Sequence, residues 1–274
     1  MNALNIYLRE KKMIDRGGRF SQLIQKNSSQ SRPLRAVGFN RNFFGKIQKM
    51  SAPLQNVMAD GRACATGVYT HIVMILTISK KGIIRRCKFN EAGLELFARY
   101  ANEEKSVIMV MGHIGNWEWA GHPFSLLCRQ KLVVLYHPLS NRYFEKLMLG
   151  MRSRFGTKMI PMKTAFKEMV ANRKQLTATV FISDQTPMPE NAHWTTFLNQ
   201  DTPVFKGTEV IAKKLNQPVV YCCVKKVKRG YYEMFAETLA DDPASTADGE
   251  ITEMHTKRTE LDILECPESW LWSH

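Results

Sequence analysis

Several features that would fix a class outright are missing from this chain. Its six cysteines (Cys64, Cys87, Cys128, Cys222, Cys223 and Cys266) form no C-x-x-C pair and no metal-ligand spacing. Three of them, Cys128, Cys222 and Cys223, lie inside apolar runs, where cysteine behaves as a small hydrophobe. A disulfide framework is thereby set aside, and a reduced, cytoplasm-facing protein is expected. The longest stretch without Asp, Glu, Lys or Arg, residues 63–79, is broken by Thr66, Gly67, Thr70, His71 and Thr77. A spanning helix needs about 20 predominantly apolar residues, so none is expected. The N-terminus has no apolar stretch of the secretory-signal kind. No internal repeat is found, and no zinc-finger, RNA-recognition or helix-turn-helix signature accompanies the basic charge. A basic nucleic-acid-binding protein is therefore the weaker reading, and no nucleic-acid partner is expected.

What is present is a globular composition. The chain has 274 residues, 44% apolar and 23% charged, with 14 Phe and 5 Trp, enough apolar mass for a core. The net charge is +14 and is uneven. Residues 1–50 hold eleven Lys/Arg against Glu10 and Asp15, a local excess of +9. That stretch also carries Gly17-Gly18 and the polar tract from Lys26 to Ser31, and Pro53 follows it. Residues 1–67 read as a basic N-terminal extension and residues 68–274 as the folded domain.

From residue 68 short apolar runs alternate with helical patterns. Strands are expected at 106–111, 132–136, 178–183 and 219–224, and an antiparallel edge strand at 231–239. Phe144, Leu147, Met148, Met151 and Phe155 follow helical spacing behind Asn141 as N-cap. Met162, Ala165, Phe166, Met169 and Val170 do the same behind Pro161, and both stripes read as core faces. A shorter helix is expected over 208–216, ended by Pro218. Alternating strands and helices imply an α/β fold with a mostly parallel central sheet flanked by helices.

In such sheets ligands gather beyond the carboxyl ends of the strands. The run at 106–111 is followed by Gly112-His113-Ile114-Gly115-Asn116-Trp117-Glu118, the run at 132–136 by His137-Pro138, and the run at 178–183 by Asp184-Gln185. Gly112 and Gly115 bracket His113, so the backbone can turn while the imidazole projects. Glu118 opens an expected helix and can fold back onto one imidazole nitrogen, leaving the other to accept a proton. With no Ser or Cys nearby in sequence, such a dyad suits activation of an incoming alcohol. A strand-end histidine satisfied by backbone groups is the plain alternative.

The seven residues from Gly112 to Glu118 resemble the H-x-x-x-x-[DE] signature of lysophospholipid-type acyltransferases, in the form used by the bacterial lipid A biosynthesis (lauroyl/myristoyl) acyltransferases. Further blocks follow in order: Tyr136-His137-Pro138 with Asn141-Arg142, Arg152-Ser153-Arg154-Phe155-Gly156, and Ser183-Asp184-Gln185-Thr186-Pro187. Phe197 to Thr208 and the closing Trp270-Leu271-Trp272-Ser273-His274 complete them. The resemblance covers roughly residues 68–274.

What the resemblance implies is transfer of a fatty acyl chain from acyl carrier protein to a hydroxyl of a lipid A precursor. His113 would be the general base and Glu118 its orienting partner. Arg152, with Arg154 second, would stabilise an oxyanion or clamp an acceptor phosphate. Asn116, Trp117, Asp184 and Gln185 would line the acceptor site, and capping or packing roles stay open for each. Gly207 would allow close approach, and Thr208 would favour an anionic ligand or simply cap a helix. No metal and no cofactor is implied, and His137 and His193 lack a metal spacing to His113. A glycerolipid or an amino-acid-linked lipid as acceptor stays open. Relatives usually open on an apolar anchoring helix, which residues 1–67 do not resemble, and run on past the position of His274. A peripheral protein at the cytoplasmic face of the bacterial inner membrane is therefore expected, its basic segment meeting anionic headgroups.

Overall fold

The run Val107-Ile108-Met109-Val110-Met111 is apolar at every position, and only a strand covered on both faces buries all of it. A computed structural model, which describes residues 75–188, 190 and 192–270, places it at the centre of the sheet. Elements follow in the order α1 (Lys80–Arg86), β1 (Cys87–Phe89), α2 (Glu91–Asn102), β2 (Val107–Met111), α3 (Trp117–Leu127), β3 (Lys131–Tyr136) and α4 (Arg142–Arg152). Then come β4 (Lys158–Pro161), α5 (Ala165–Ala171), β5 (Thr177–Ile182), β6 (Ala192–Phe197), β7 (Gln200–Phe205) and α6 (Gly207–Leu215). The long hairpin β8 (Val219–Lys228) and β9 (Tyr231–Ala240) and the closing helix α7 (Glu250–Glu265) end the fold.

The seven-stranded sheet has the order β1-β9-β8-β2-β5-β3-β4. Within this sheet the pairs are parallel except β8–β9, which is antiparallel; β6 and β7 form a separate antiparallel pair. The fold is therefore α/β with a mostly parallel sheet, as the alternation of patterns implies. Side chains of β2 divide by the two-residue period of a strand. Val107, Met109 and Met111 join Phe97, Tyr100, Ala120 and Phe124 of α2 and α3 on one face. Ile108 and Val110 join Ala165, Met169, Ala212 and Ile251 of α5, α6 and α7 on the other.

The expected strands and the helix capped by Asn141 are found. The Asn141 side chain accepts from the backbone N–H groups of Tyr143 and Phe144, at 3.0 and 3.1 Å. Two expectations need correcting. The strand over 231–239 is not an edge, because β1 pairs with it in parallel. The stripe from Met162 is only partly a core face. Residues Met162–Thr164 form a 3-10 turn, and in the short α5 only Ala165 and Met169 are buried, leaving Met162, Phe166 and Val170 exposed. The basic extension, its boundary at residue 67, and residues 271–274 lie outside the described residues. No helix among the described residues is long and apolar enough to cross a membrane.

Two histidines are buried in this framework, His122 on α3 and His255 on α7. Neither ring nitrogen of His122 has a hydrogen bond, and its ring meets Phe155 edge-on at 5.2 Å. Burial pushes both imidazoles down to about 4. Between that value and the ordinary 6.5 the unfolded chain binds a proton that the native state refuses. Stability must then fall with falling pH, by up to about 1.4 kcal/mol per pH unit for each histidine. Replacing His122 by Phe, which keeps an aromatic ring, should shrink the stability difference between pH 7.5 and 5.5 by about 1 kcal/mol. Urea unfolding at the two pH values measures this, and an undiminished difference would mean that His122 titrates normally.

Candidate active site

Strands β2 and β5 are parallel neighbours in a register that pairs Met111 with Ile182. One residue on, the Ser183 N–H donates to the Met111 carbonyl at 3.1 Å. His113 and Asp184 each lie two residues beyond the last pair, so the register sets them side by side at the carboxyl edge. The His113 backbone N–H donates to Asp184 Oδ2 at 2.7 Å, and the ring Nδ1 lies 2.7 Å from Oδ1. The Trp270 indole N–H also donates to Oδ2, at 2.9 Å.

The Asp184 side chain is 1% exposed. Burial alone would push its carboxyl up. The bond and charge of His113 and the bond from Trp270 outweigh this and hold it below the ordinary carboxylate range. An ionised carboxylate only accepts, so Nδ1 carries the proton in this arrangement and the lone pair falls on Nε2. Trp117 stands edge-on to the imidazole with ring centroids 5.1 Å apart.

Glu118 is placed differently from the expectation. It sits in the first turn of α3 and pairs with Arg152 at the end of α4. The Arg152 Nε–H donates to Oε2 at 3.0 Å and a terminal nitrogen donates to Oε1. Glu118 is expected against one imidazole nitrogen; the carboxylate at Nδ1 is that of Asp184, which the lateral register of β2 and β5 sets beside His113. The Arg152 fork uses two of its N–H groups on Glu118. Burial pulls its guanidinium down, and the Glu118 bond and charge more than restore it.

The remaining expected residues divide. Asn116 occupies the N-cap position of α3 yet makes no side-chain cap, and it is buried with no hydrogen bond on either amide atom. Gln185 lines a cavity with Asp184. Thr208 is not the cap of α6; Lys206 holds that position, and Thr208 Oγ1 lies 3.0 Å from Ser183 Oγ. At Gly207 a Cβ would meet nothing within 4 Å. Arg154 is turned to the Ile75 carbonyl and lies over the Phe155 ring at 4.8 Å, so no described contact brings it to His113. Among the described residues no group of three or more His, Cys, Asp or Glu could hold a metal ion. Sequence reasoning missed Trp270 as a donor to Asp184 and Asp184 as the partner of His113. The equal two-residue offset of His113 and Asp184 from their strand ends was the available signal for the second.

The arrangement is an imidazole held by a buried carboxylate, with a separate carboxylate–guanidinium pair between α3 and α4. The family described as bacterial lipid A biosynthesis acyltransferase matches residues 44–274. No curated protein matches the chain.

The loop that carries His113 depends on Gly115. It has φ +64°, its N–H donates to the Ser269 carbonyl at 2.8 Å, and a Cβ there would stand 2.4 Å from the Val224 carbonyl oxygen. Gly115→Ala should therefore cost about 2 kcal/mol or more through a left-handed backbone and a clash with main chain. Calorimetry should record a fall in Tm of about 5 °C or more. An unchanged Tm would mean that the loop adapts without strain.

Proposed function

The chain belongs to the bacterial lipid A biosynthesis acyltransferase family, and from that premise we propose that it transfers a fatty acyl group from an acyl carrier protein thioester to a hydroxyl of a lipid A precursor. The observation that carries the reading is His113, with Nδ1 against the buried Asp184 at the carboxyl edge of the sheet. His113 Nε2 takes the proton of the acceptor hydroxyl as that oxygen attacks the thioester carbonyl. A carbon–oxygen bond forms, the carbon–sulfur bond breaks, and the carrier's thiol leaves with the proton from His113. Asp184 fixes the tautomer and stabilises the imidazolium while it exists.

Asn116 and Arg152 suit the charge that develops on the carbonyl oxygen. The Asn116 amide is buried, unpartnered and three residues from the base. A ligand that accepts from its N–H would relieve the cost of leaving it unpaired, about 1–3 kcal/mol. Arg152, steadied by Glu118, adds a fixed positive charge. Trp117 walls the imidazole. In this reading Glu118 positions Arg152, while Asp184 orients the base. A lipid acceptor implies work at a membrane surface, and the excess of +9 in residues 1–50 favours peripheral attraction to anionic headgroups at the cytoplasmic face of the inner membrane.

Acyl transfer from acyl carrier protein thioesters to a lipid A precursor in detergent micelles, read by mass spectrometry, tests the reading. Wild type should give the acyl mass shift. His113→Ala should lower the rate about 100- to 10,000-fold, the usual worth of a positioned acid–base group, and Asp184→Asn should follow it. Full activity in His113→Ala would remove it as base. A Glu118→Gln loss equal to that of His113→Ala, with Asp184→Asn active, would return the orienting role to Glu118.

A further inference from the structure

His113 meets Asp184 twice, through its backbone N–H and its ring, so both contacts come from one residue. Two points define an axis, about which a carboxylate can still swing. The Trp270 indole N–H, donating to Oδ2 at 2.9 Å from a distant part of the chain, supplies a third point and fixes the plane.

The surroundings of Asp184 make that third point count. A Cβ at Gly112 would stand 3.4 Å from Oδ2, so main chain lies close by. Asp184 and Trp270 also border a cavity of about 410 Å³ between the β5 end, the β6–β7 hairpin and helix α7. That volume has room for water, yet the Asp184 side chain is almost wholly enclosed. An ionised carboxylate gains by hydration. Without the indole donor it would turn toward the cavity and draw Oδ1 away from Nδ1. With that acceptor gone, the imidazole proton can move to Nε2, the nitrogen that must stay bare to take a proton. Trp270 is itself held in place: it is buried, bridges Ile114, and its ring centroid stands 6.0 Å from that of Phe197. Its neighbour Ser269 accepts from the Gly115 N–H at 2.8 Å, which fixes the indole to the loop bearing His113.

We propose that Trp270 is a positioning residue: its indole N–H holds Asp184 with Oδ1 against Nδ1 and so keeps the His113 lone pair on Nε2. The role rests on the acyltransferase reading for His113 as base, while the tautomer is measurable without any reaction.

Replacing Trp270 by benzothienylalanine keeps the bicyclic shape and puts sulfur where the N–H stood; Trp270→Phe removes shape and donor together. Nitrogen NMR of the full chain in micelles at about pH 8.5, where a neutral imidazole reports its tautomer through two separate shifts, reads the outcome. The His113 signals are assigned by their loss in His113→Ala. Wild type should show Nδ1 protonated and Nε2 bare. Both replacements should bring the Nε2–H tautomer to a comparable population. In the transfer assay they should lower kcat about tenfold with both KM values unchanged, the loss of one hydrogen bond to a charged group. The isostere carries the test if Trp270→Phe fails to fold. A wild-type tautomer in the isostere would overturn the proposal, because the packing of the ring would then suffice. A mixed tautomer in wild type would overturn it too, as would an unchanged kcat beside a changed tautomer. A changed tautomer, with no transfer by wild type to any acceptor, would remove the acyltransferase reading and leave the hold on His113 standing. Transfer by wild type with tautomer and kcat unchanged in the isostere would remove the positioning role and leave that reading standing.

Discussion

A carboxylate taken out of water must find donors enough to offset its lost hydration, and the architecture around the site follows from how Asp184 meets that demand. It accepts from the His113 backbone, the His113 ring and the Trp270 indole, three donors from two distant parts of the chain. Two of these exist only because β2 and β5 pair in the register that ends at Met111 and Ile182. A slip of one residue would turn every side chain of β2 to the opposite face and carry His113 away with them. The core therefore guards the site: Met109 and Val110 cannot exchange faces without stranding both apolar layers. The third donor brings in the end of the fold. Trp270 bridges Ile114, and the Ser269 carbonyl accepts from Gly115, so the segment after α7 clasps the loop that bears His113.

The carboxylates of Asp184 and Glu118 sit in unlike surroundings. Asp184 is sealed and bound by three donors, whereas Glu118 is 19% exposed and shares a fork with Arg152. A sealed, ionised carboxylate is suited to holding a tautomer, because water cannot compete for its lone pairs. The partly exposed pair holds its positive charge in place while its negative partner stays anchored in a helix first turn. The contrast between a sealed carboxylate and a partly exposed ion pair is one of solvent exposure.

Much of this was readable from the sequence, and what was not has physical reasons. Strands β2, β3, β5 and β8 announced themselves because burial on both faces demands unbroken apolar runs. Their carboxyl ends marked His113, Asp184 and Gln185 as residues of one crevice. The strand order was hidden, since parallel neighbours are joined through helices and periodicity says nothing of which strand lies beside which. The pairing of His113 with Asp184 went unread for that reason, and the nearer Glu118 took its place. Helix α7 left no apolar stripe because it buries Thr252, His255, Thr256 and Thr259; Thr252 Oγ1 donates to Glu209 and Thr259 Oγ1 to the His255 carbonyl, so polar groups are paired where an apolar face was looked for. Strand β1 is three residues long, too short for a periodic signal, and its presence turned an expected edge into an interior strand.

The hairpin β6–β7, equally unread, is held more firmly than its two strands alone could manage, since an isolated hairpin is marginal in water. Its two-residue turn places Leu198 and Asn199 at φ +51° and +62°, the geometry that matches the twist of the flanking strands. Asparagine accepts that region readily, but leucine does so at a cost of about 1–3 kcal/mol. Helix α7 supplies the compensation. Glu260 accepts from the Leu198 N–H at 2.8 Å, and Glu253 takes His193 and Thr195 at 2.6 and 2.7 Å. Phe197 and Leu198 pack against Ile114, Ile263 and Trp270. The hairpin is thus tied to the segment that donates to Asp184, so the wall of the cavity and the orientation of His113 are fixed by one set of contacts.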